Sequence, residues 1–367
     1  MNKSNRLPFL PLEWTTETEL ALYKKVVTAI SEMEKLKQKV RYSLVNESFI
    51  QLLTLQESVQ STRIEGTQVT FSEMLEDHVD QKEGFERVEV RNYQAALSYG
   101  MEVVTAGYPI TEKLIRQLHE MLMMNARGST SASGHYRRIQ NFIGPTTQMK
   151  DASYIPPEPQ LMPEYMTNLE RYMNGHAYVA EQNDDTHPLI KSAVVHAQFE
   201  SIHPFLDGNG RLGRILIVLY MLQSSLIDSP IFFLSEELEK DRFKYYAMLN
   251  RVRGIGIGKP DWESWVVFFL DASLRMARQQ FEKLDRAETL YKNGLEQLDQ
   301  PSHKEVWGVL FAEPITTVLK VEEKTNLAAT TIRKALSHLV QKQMVYANDQ
   351  KRNRRYYHYD LIRAMNG

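Results

Sequence analysis

Apolar residues recur every three or four positions along nearly the whole chain. That period restricts it to a mainly helical fold. It is plain over residues 16–40 (TETELALYKKVVTAISEMEKLKQKV) and 48–66 (SFIQLLTLQESVQSTRIEG), the second stopping at Gly66, a common helix end. Further helices are predicted over 88–104, 111–126, 163–174, 187–202, 214–227 and 239–253, and a long, late-charged connecting helix over 261–298. Met121, Met123 and Met124 are expected as core filler. Residues 128–160 break the period, being rich in Gly, Ser, Thr and Pro. There a strand over 138–144 (RIQNFIG), a GPTTQ turn and a partner strand ASYI spell one β-hairpin. An irregular insertion of that length in a compact domain is often functional.

Composition narrows the classes further. A net charge of −2 over 367 residues argues against a general nucleic-acid binder. The chain has no cysteine, which excludes disulfides, thiolate metal sites and a cysteine nucleophile, and fits a reducing compartment. No signal peptide is visible. The run ILIVLYML (215–222) is far shorter than the roughly 20 residues of a membrane helix, so a buried core helix is expected, in a soluble cytoplasmic protein without membrane contact. RGIGIGK (253–259) lacks a preceding strand and is expected as a loop. His187, His196 and His338 fall within helical patterns and are expected to be structural; no histidines sit at metal-ligand spacing.

Past Pro301 the charge reverses. Residues 301–367 carry eleven Lys/Arg against six Asp/Glu, a net +5, which leaves −7 for the rest. Helix, short helix (EEKTNL), turn (AAT), helix (TIRKALSHLVQKQ) and two strands around a basic turn make a winged-helix plan. Lys351, Arg352, Arg354 and Arg355 would stand on the wing; DNA contact and protein docking both remain open for this region.

The densest chemistry is HPFLDGNGRLGR, residues 203–214. Glycines 208 and 210 free the backbone of Asp207-Gly208-Asn209-Gly210 to turn its N–H groups into one concavity, an anion nest. The following helix adds its positive end. Arg211 and Arg214, three apart, share a face and can grip phosphate oxygens. Asp207 beside phosphates calls for a cation between them, and Mg²⁺ suits one carboxylate plus substrate phosphates. Phe205 would point into the core and hold the loop. His203 alone in the motif can take a proton near pH 7. The sum is a site for magnesium-bound polyphosphate with a general base: phosphoryl or nucleotidyl transfer.

HPFLDGNGRLGR resembles the Fic-domain signature at every specified position, and the likeness extends over the helical core, the hairpin and the N-terminal helices. The resemblance implies a Fic helical core with one β-hairpin flap and AMP transfer from ATP to a hydroxyl of a target protein, or of the protein itself. By position, His203 would deprotonate a Ser, Thr or Tyr, and Asp207 would hold Mg²⁺. The nucleotide would be bound by Phe205, Asp207, Gly208, Asn209, Gly210, Arg211 and Arg214, with Tyr245 and Tyr246 lining an adenine pocket. Asn141, Phe142, Ile143 and Gly144 would form the flap that aligns the target segment.

STRIEG (61–66) resembles the family's inhibitory pattern. Ser61 and Glu65 lie four apart on one helical face, and a carboxylate near a helix C-terminus is disfavoured by several tenths of a kcal/mol unless a cation meets it. The resemblance names Arg214 as that cation, so that Glu65 would occupy the arginine meant for the γ-phosphate. The expected division is an N-terminal helical region carrying the inhibitory helix (1–100), a catalytic core (101–290) and a winged-helix domain (301–367). The same residues also suit removal of AMP from a modified target, or phosphate transfer, though the intact Gly210 and Arg214 favour AMP transfer. A regulator that senses nucleotide and binds DNA is the non-enzyme alternative, which the presence of His203 disfavours. Family members often form homodimers.

Overall fold

The structure is a computed structural model and describes residues 6–76, 84–128, 131–144, 148–175, 184–350 and 352–366. The centre of the GPTTQ turn (145–147) and Lys351 lie outside the described residues. The N-terminal helices are α1 (Thr16–Arg41), α2 (Asn46–Ile64), α3 (Phe71–Leu75), α4 (Phe85–Thr105) and α5 (Glu112–Met123). The central ones are α6 (Met162–Met173), α7 (Pro188–Ile202), α8 (Asn209–Gln223), α9 (Ser235–Lys240), α10 (Arg242–Val252) and α11 (Trp262–Glu296). The tail holds α12 (Pro301–Ala312), α13 (Val318–Lys324), α14 (Ala329–Gln341) and α15 (Tyr359–Asn366), with strands β1 (Ile315–Thr316), β2 (Tyr346–Ala347) and β3 (Tyr356–Tyr357). Among the described residues no helix is long and apolar enough to cross a membrane.

The chain divides into two compact units, one of residues 1–34, 57–68 and 83–277, the other of 35–56, 69–82 and 278–367. In the first, α7 and α8 form the centre. Every residue from Arg211 to Met221 is buried, as is every one from Leu189 to Ile202 except Lys191, which is partly exposed. Helices this apolar on all sides are stable only in the middle of a bundle. α8 packs against α7 and α4, α4 against α5, and α6 against α7. Close approach is built in. A Cβ at Gly213 would sit 2.8 Å from Glu200 Oε1 on α7, and one at Gly100 2.7 Å from Leu219 on α8. Four fully buried α8 side chains (Leu212, Ile215, Leu216, Leu219) contribute about 1.5–3 kcal/mol each. The centre of the bundle thereby fixes the start of α8, where the motif lies.

In the second unit, β3 lies between β1 and β2, antiparallel to both, with Tyr357 opposite Ile315 and Tyr346. Val306, Trp307, Leu310 and Phe311 of α12 and Ile332, Leu336 and Leu339 of α14 form its core. His358 lies in that core, 4.7 Å from the Trp307 ring and 5.1 Å from Phe311, with neither ring nitrogen hydrogen-bonded. Burial pushes its imidazole down to about 4.

Several expectations need correction. The short tail helix starts at Val318, not Glu322, because Thr317 caps it, its hydroxyl accepting the Lys320 N–H at 3.3 Å. β1 was not foreseen: two residues leave no alternation to see. Asp241 splits the expected 239–253 helix into α9 and α10. Met124 is 60% exposed instead of core, whereas Met123 is buried under the motif loop. The expected hairpin reduces, among the described residues, to the single bridge Ile143–Tyr154. Pro156 and Pro157 follow at once and have no N–H for a ladder, and Gln140 donates by its side chain to the Pro156 carbonyl (2.9 Å).

Candidate active site

α7 ends at Ile202, and His203 takes the left-handed conformation (φ 50°, ψ 61°) that lets the chain leave the helix. Such a conformation is rare for a residue with a side chain, so the surroundings must impose it. Arg137 does much of this. It is 2% exposed, and its guanidinium donates to the carbonyls of His203 (2.9 Å), Pro157 (2.6 Å), Ile139 (3.3 Å) and Ile202 (3.4 Å). Arg253 donates to the Glu200 carbonyl (2.9 Å) and lies over the Tyr154 ring. Two cations thus satisfy carbonyls that the end of α7 leaves without helical partners. They also act on the base. Burial pushes the His203 imidazole down to about 3, and the Arg253 and Arg137 charges add to this against a smaller upward pull from the Glu200 carbonyl. The ring is therefore neutral at pH 7, the form that accepts a proton.

The loop is shaped by side chains turned inward. The Asn209 amide closes it, accepting from Phe205 N–H (2.9 Å) and donating to Phe205 O (2.9 Å). Phe205 is fully buried and stacks on His119, ring centroids 3.7 Å apart. Its side chain is the loop's anchor. The Gly134 N–H donates to His119 Nδ1 (2.8 Å), which places the proton on Nε2, where it meets the Asp207 carbonyl (3.0 Å). Burial pushes His119 down to about 4, so this neutral tautomer persists at pH 7. Gly208 (φ 76°) completes the turn, and Leu212 N–H bonds its carbonyl to start α8.

Asp207 is exposed at the rim, one oxygen accepting the Gly208 N–H (2.6 Å) and lying 3.8 Å from Arg211. Its other oxygen faces Gly128, where a Cβ would come within 2.5 Å. Among the described residues no cluster of three or more His, Asp or Glu could hold a metal ion. A cation at Asp207 would have one protein carboxylate, the donor set that Mg²⁺ uses when phosphates complete its shell.

Arg211 and Arg214 are buried, at 5% and 1% exposure. Each has one buried nitrogen without a partner, Nε of Arg211 and Nη1 of Arg214. The rest of Arg214 meets α2. Nε donates to Ser61 Oγ (2.8 Å), and Nη2 donates to the Ser61 carbonyl (2.9 Å) and to Glu65 Oε1 (2.7 Å). The local fold explains the pairing. Glu65 N–H turns to the Thr62 carbonyl, which frees the Ser61 carbonyl for Arg214. Gly66 (φ 99°) then reverses the chain and holds Glu65 over Gly210, where any Cβ would strike the Glu65 carboxylate. Burial opposes the Arg214 charge, but Glu65 and the surrounding tyrosines hold it firmly protonated.

Of the two tyrosines, Tyr245 is core. It is 1% exposed and hydrogen-bonded to His196 (2.9 Å). Tyr246 is 41% exposed. In the flap segment, Asn141 donates to Phe205 O (3.1 Å), Ile143 carries the single bridge, Phe142 is half-buried, and Gly144 (φ 149°) lies against Ser153. Tyr154 donates to the Ser201 carbonyl (2.9 Å). Flap, loop and the end of α7 thus share one hydrogen-bonded network.

Two family models match the chain, "Fic/DOC family" over residues 109–221 and "Fic/DOC family N-terminal" over 23–102. Together they span more than half of it. The chain belongs to the Fic/DOC family. The protein named "Protein adenylyltransferase Fic" from Drosophila melanogaster is 28% identical over 195 residues, 52% of this chain and 35% of that protein. Its Drosophila erecta counterpart is 29% identical over the same shares. The match thus spans about a third of the length of these curated relatives. Among solved structures, a Fic family protein from Desulfovibrio desulfuricans G20 shares the fold at 20% identity with a TM-score of 0.57, over 95% of this chain and 98% of that one. Fic-1 (residues 134–508) from C. elegans does so at 19% identity and a TM-score of 0.55, over 74% and 75%.

Arg137, Arg253, His119 and Glu200 were not foreseen as part of this Fic site. The first two act on carbonyls, which no side-chain spacing announces. The adjacent arginines 137 and 138 inside the irregular 128–160 insertion are the one available hint for Arg137.

Proposed function

We propose that the protein moves AMP from ATP to a hydroxyl of a protein target, and that Glu65 restrains it. The observation that carries this is the half-occupied Arg214: three donations go to Ser61 and Glu65, while Nη1, beside Gly210, is buried and unpartnered. A terminal phosphate that displaces Glu65 would take the Nη2 donation now given to Glu65 and the unpartnered Nη1, while Ser61 keeps its own two bonds. The names of the Drosophila relatives support the reaction type.

His203 takes the proton of the target hydroxyl as its oxygen attacks the α-phosphorus. The new bond joins that oxygen to phosphorus, the bond to the β-phosphate oxygen breaks, and pyrophosphate leaves. The polyphosphate's negative charge counters Arg253 and Arg137 and raises the affinity of His203 for that proton. The first-turn N–H groups of α8 and the loop hold the phosphates. Asp207 would hold Mg²⁺, which supplies charge neutralisation for the leaving pyrophosphate. Tyr246 would border the base, Asn141 to Gly144 would align the target, and Ser61 would orient Arg214 in the restrained state. The division at 1–100, 101–290 and 301–367 is likewise proposed as a functional one.

Intact masses test this directly. Glu65→Gly incubated with ATP and Mg²⁺ gains an AMP-sized increment, on itself or on an added protein acceptor. The wild type gains less, and Glu65→Gly/His203→Ala gains none. A phosphate-sized increment, or equal labelling of the wild type and Glu65→Gly, refutes the reading.

A further inference from the structure

α13, a four-residue link and α14 form a helix-turn-helix, with the β2–β3 hairpin as a wing. α14 buries Ile332, Ala335, Leu336 and Leu339. Its opposite face exposes Thr330, Arg333, Lys334 and Ser337, at helical spacing. The hairpin is closed by Asn348, which pairs its backbone and side chain with Arg355, and Arg352 and Arg354 stand exposed beside it.

Charge is concentrated in this part of the sequence. Residues 324–359 contain eight Lys/Arg and one acidic residue, Asp349, for a net +7 against +5 for the whole of 301–367. α14 has no Asp or Glu at all. Nor does it expose a large apolar side chain; the exposed ones among the described residues of the tail are Leu319, Tyr346 and Tyr359. A protein-docking helix needs apolar anchors on its outer face. Cations with short hydroxyl side chains are instead what a duplex groove and its phosphates take.

We infer that α14 and the β2–β3 wing bind duplex DNA, α14 entering the major groove and Arg352 and Arg354 resting on the phosphate backbone. This second function is independent of AMP transfer. Because the rest of the chain is −7, its bulk charge does not attract DNA, so binding must pass through this face.

Fluorescence anisotropy of the full chain with a 30-base-pair mixed-sequence duplex between about 50 and 200 mM salt tests it. The wild type should bind in the micromolar range, with a log–log salt slope of about −3 to −4 for four engaged cations. Arg333→Ala/Lys334→Ala and Arg352→Ala/Arg354→Ala should each weaken binding about tenfold and flatten the slope by about 2. Both pairs change exposed residues, so unaltered melting temperatures exclude unfolding as the cause. Lys113→Ala/Lys304→Ala, also exposed, should leave binding unchanged. An RNA duplex of the same sequence should bind more weakly, since its deep major groove excludes a helix. No binding by the wild type at about 50 mM salt, equal losses in the control pair, or equal affinity for the RNA duplex overturns the inference. So does a duplex affinity unmoved by both face pairs, as expected if the face docks a protein.

Discussion

Glu200 lies on α7 beneath the motif, 6% exposed, with Oε1 buried and unpartnered. Burial pushes its carboxyl up to about 7, against downward pulls from Arg214 and Arg253 and a further upward push from Glu65. An unfolded chain would release this proton near 4.5. Between those values the folded protein holds a proton that the unfolded one has lost. Stability from this group is therefore complete below pH 4.5 and declines as pH rises to about 7. A shift of about 2.5 units corresponds to about 3 kcal/mol. Glu200→Gln removes the titration. The stability of the variant minus that of the wild type, from urea melts at matched pH, should rise by about 3 kcal/mol from pH 4.5 to 8.5, most of it before pH 7.5. The depressed histidines titrate alike in both proteins and cancel. Parallel stability–pH curves would refute the view that Glu200 is buried without compensation.

Arg137→Ala should destabilise by about 3 kcal/mol or more, since it strands several buried carbonyls, and should abolish labelling in a Glu65→Gly background; Arg137→Lys should recover only part, because an ammonium cannot span the same carbonyls. His358→Phe should raise stability by about 1–2 kcal/mol in a thermal melt, as it removes two unpaired buried nitrogens from an aromatic pocket. Acid should destabilise the wild type. His119, held near 4, and His196 and His203, held near 3, are protonated first in the unfolded chain, so stability falls as pH drops below 6.5. Calorimetric midpoints that stay level from pH 6.5 to 4.5 would contradict those environments.

How much was legible in the sequence varies with the kind of signal. The helices were, since α4, α5 and α6 each bury one face, which forces a 3.6-residue period, while α7 and α8, buried on all sides, read as long apolar runs. Ser61, Glu65 and Arg214 could be brought together on paper only through the family pattern; nothing in their own spacing links α2 to α8 across about 150 residues. The flap was overestimated because RIQNFIG has strand-like residues, while the prolines opposite prevent a ladder. The pins on His203 were invisible for a deeper reason. Arg137 and Arg253 recognise main-chain oxygens, and every residue has one of those.

His203 sits in a backbone conformation that glycine or asparagine adopts with little strain, and its ring nitrogen Nδ1 is buried without a partner. Position 203 is therefore a place where durability and chemistry pull apart. A selection for heat resistance alone should drift toward His203→Gly or His203→Asn, and the survivors should be tougher and inert. The persistence of histidine there would then be a record of selection on what the molecule does, written against its own stability.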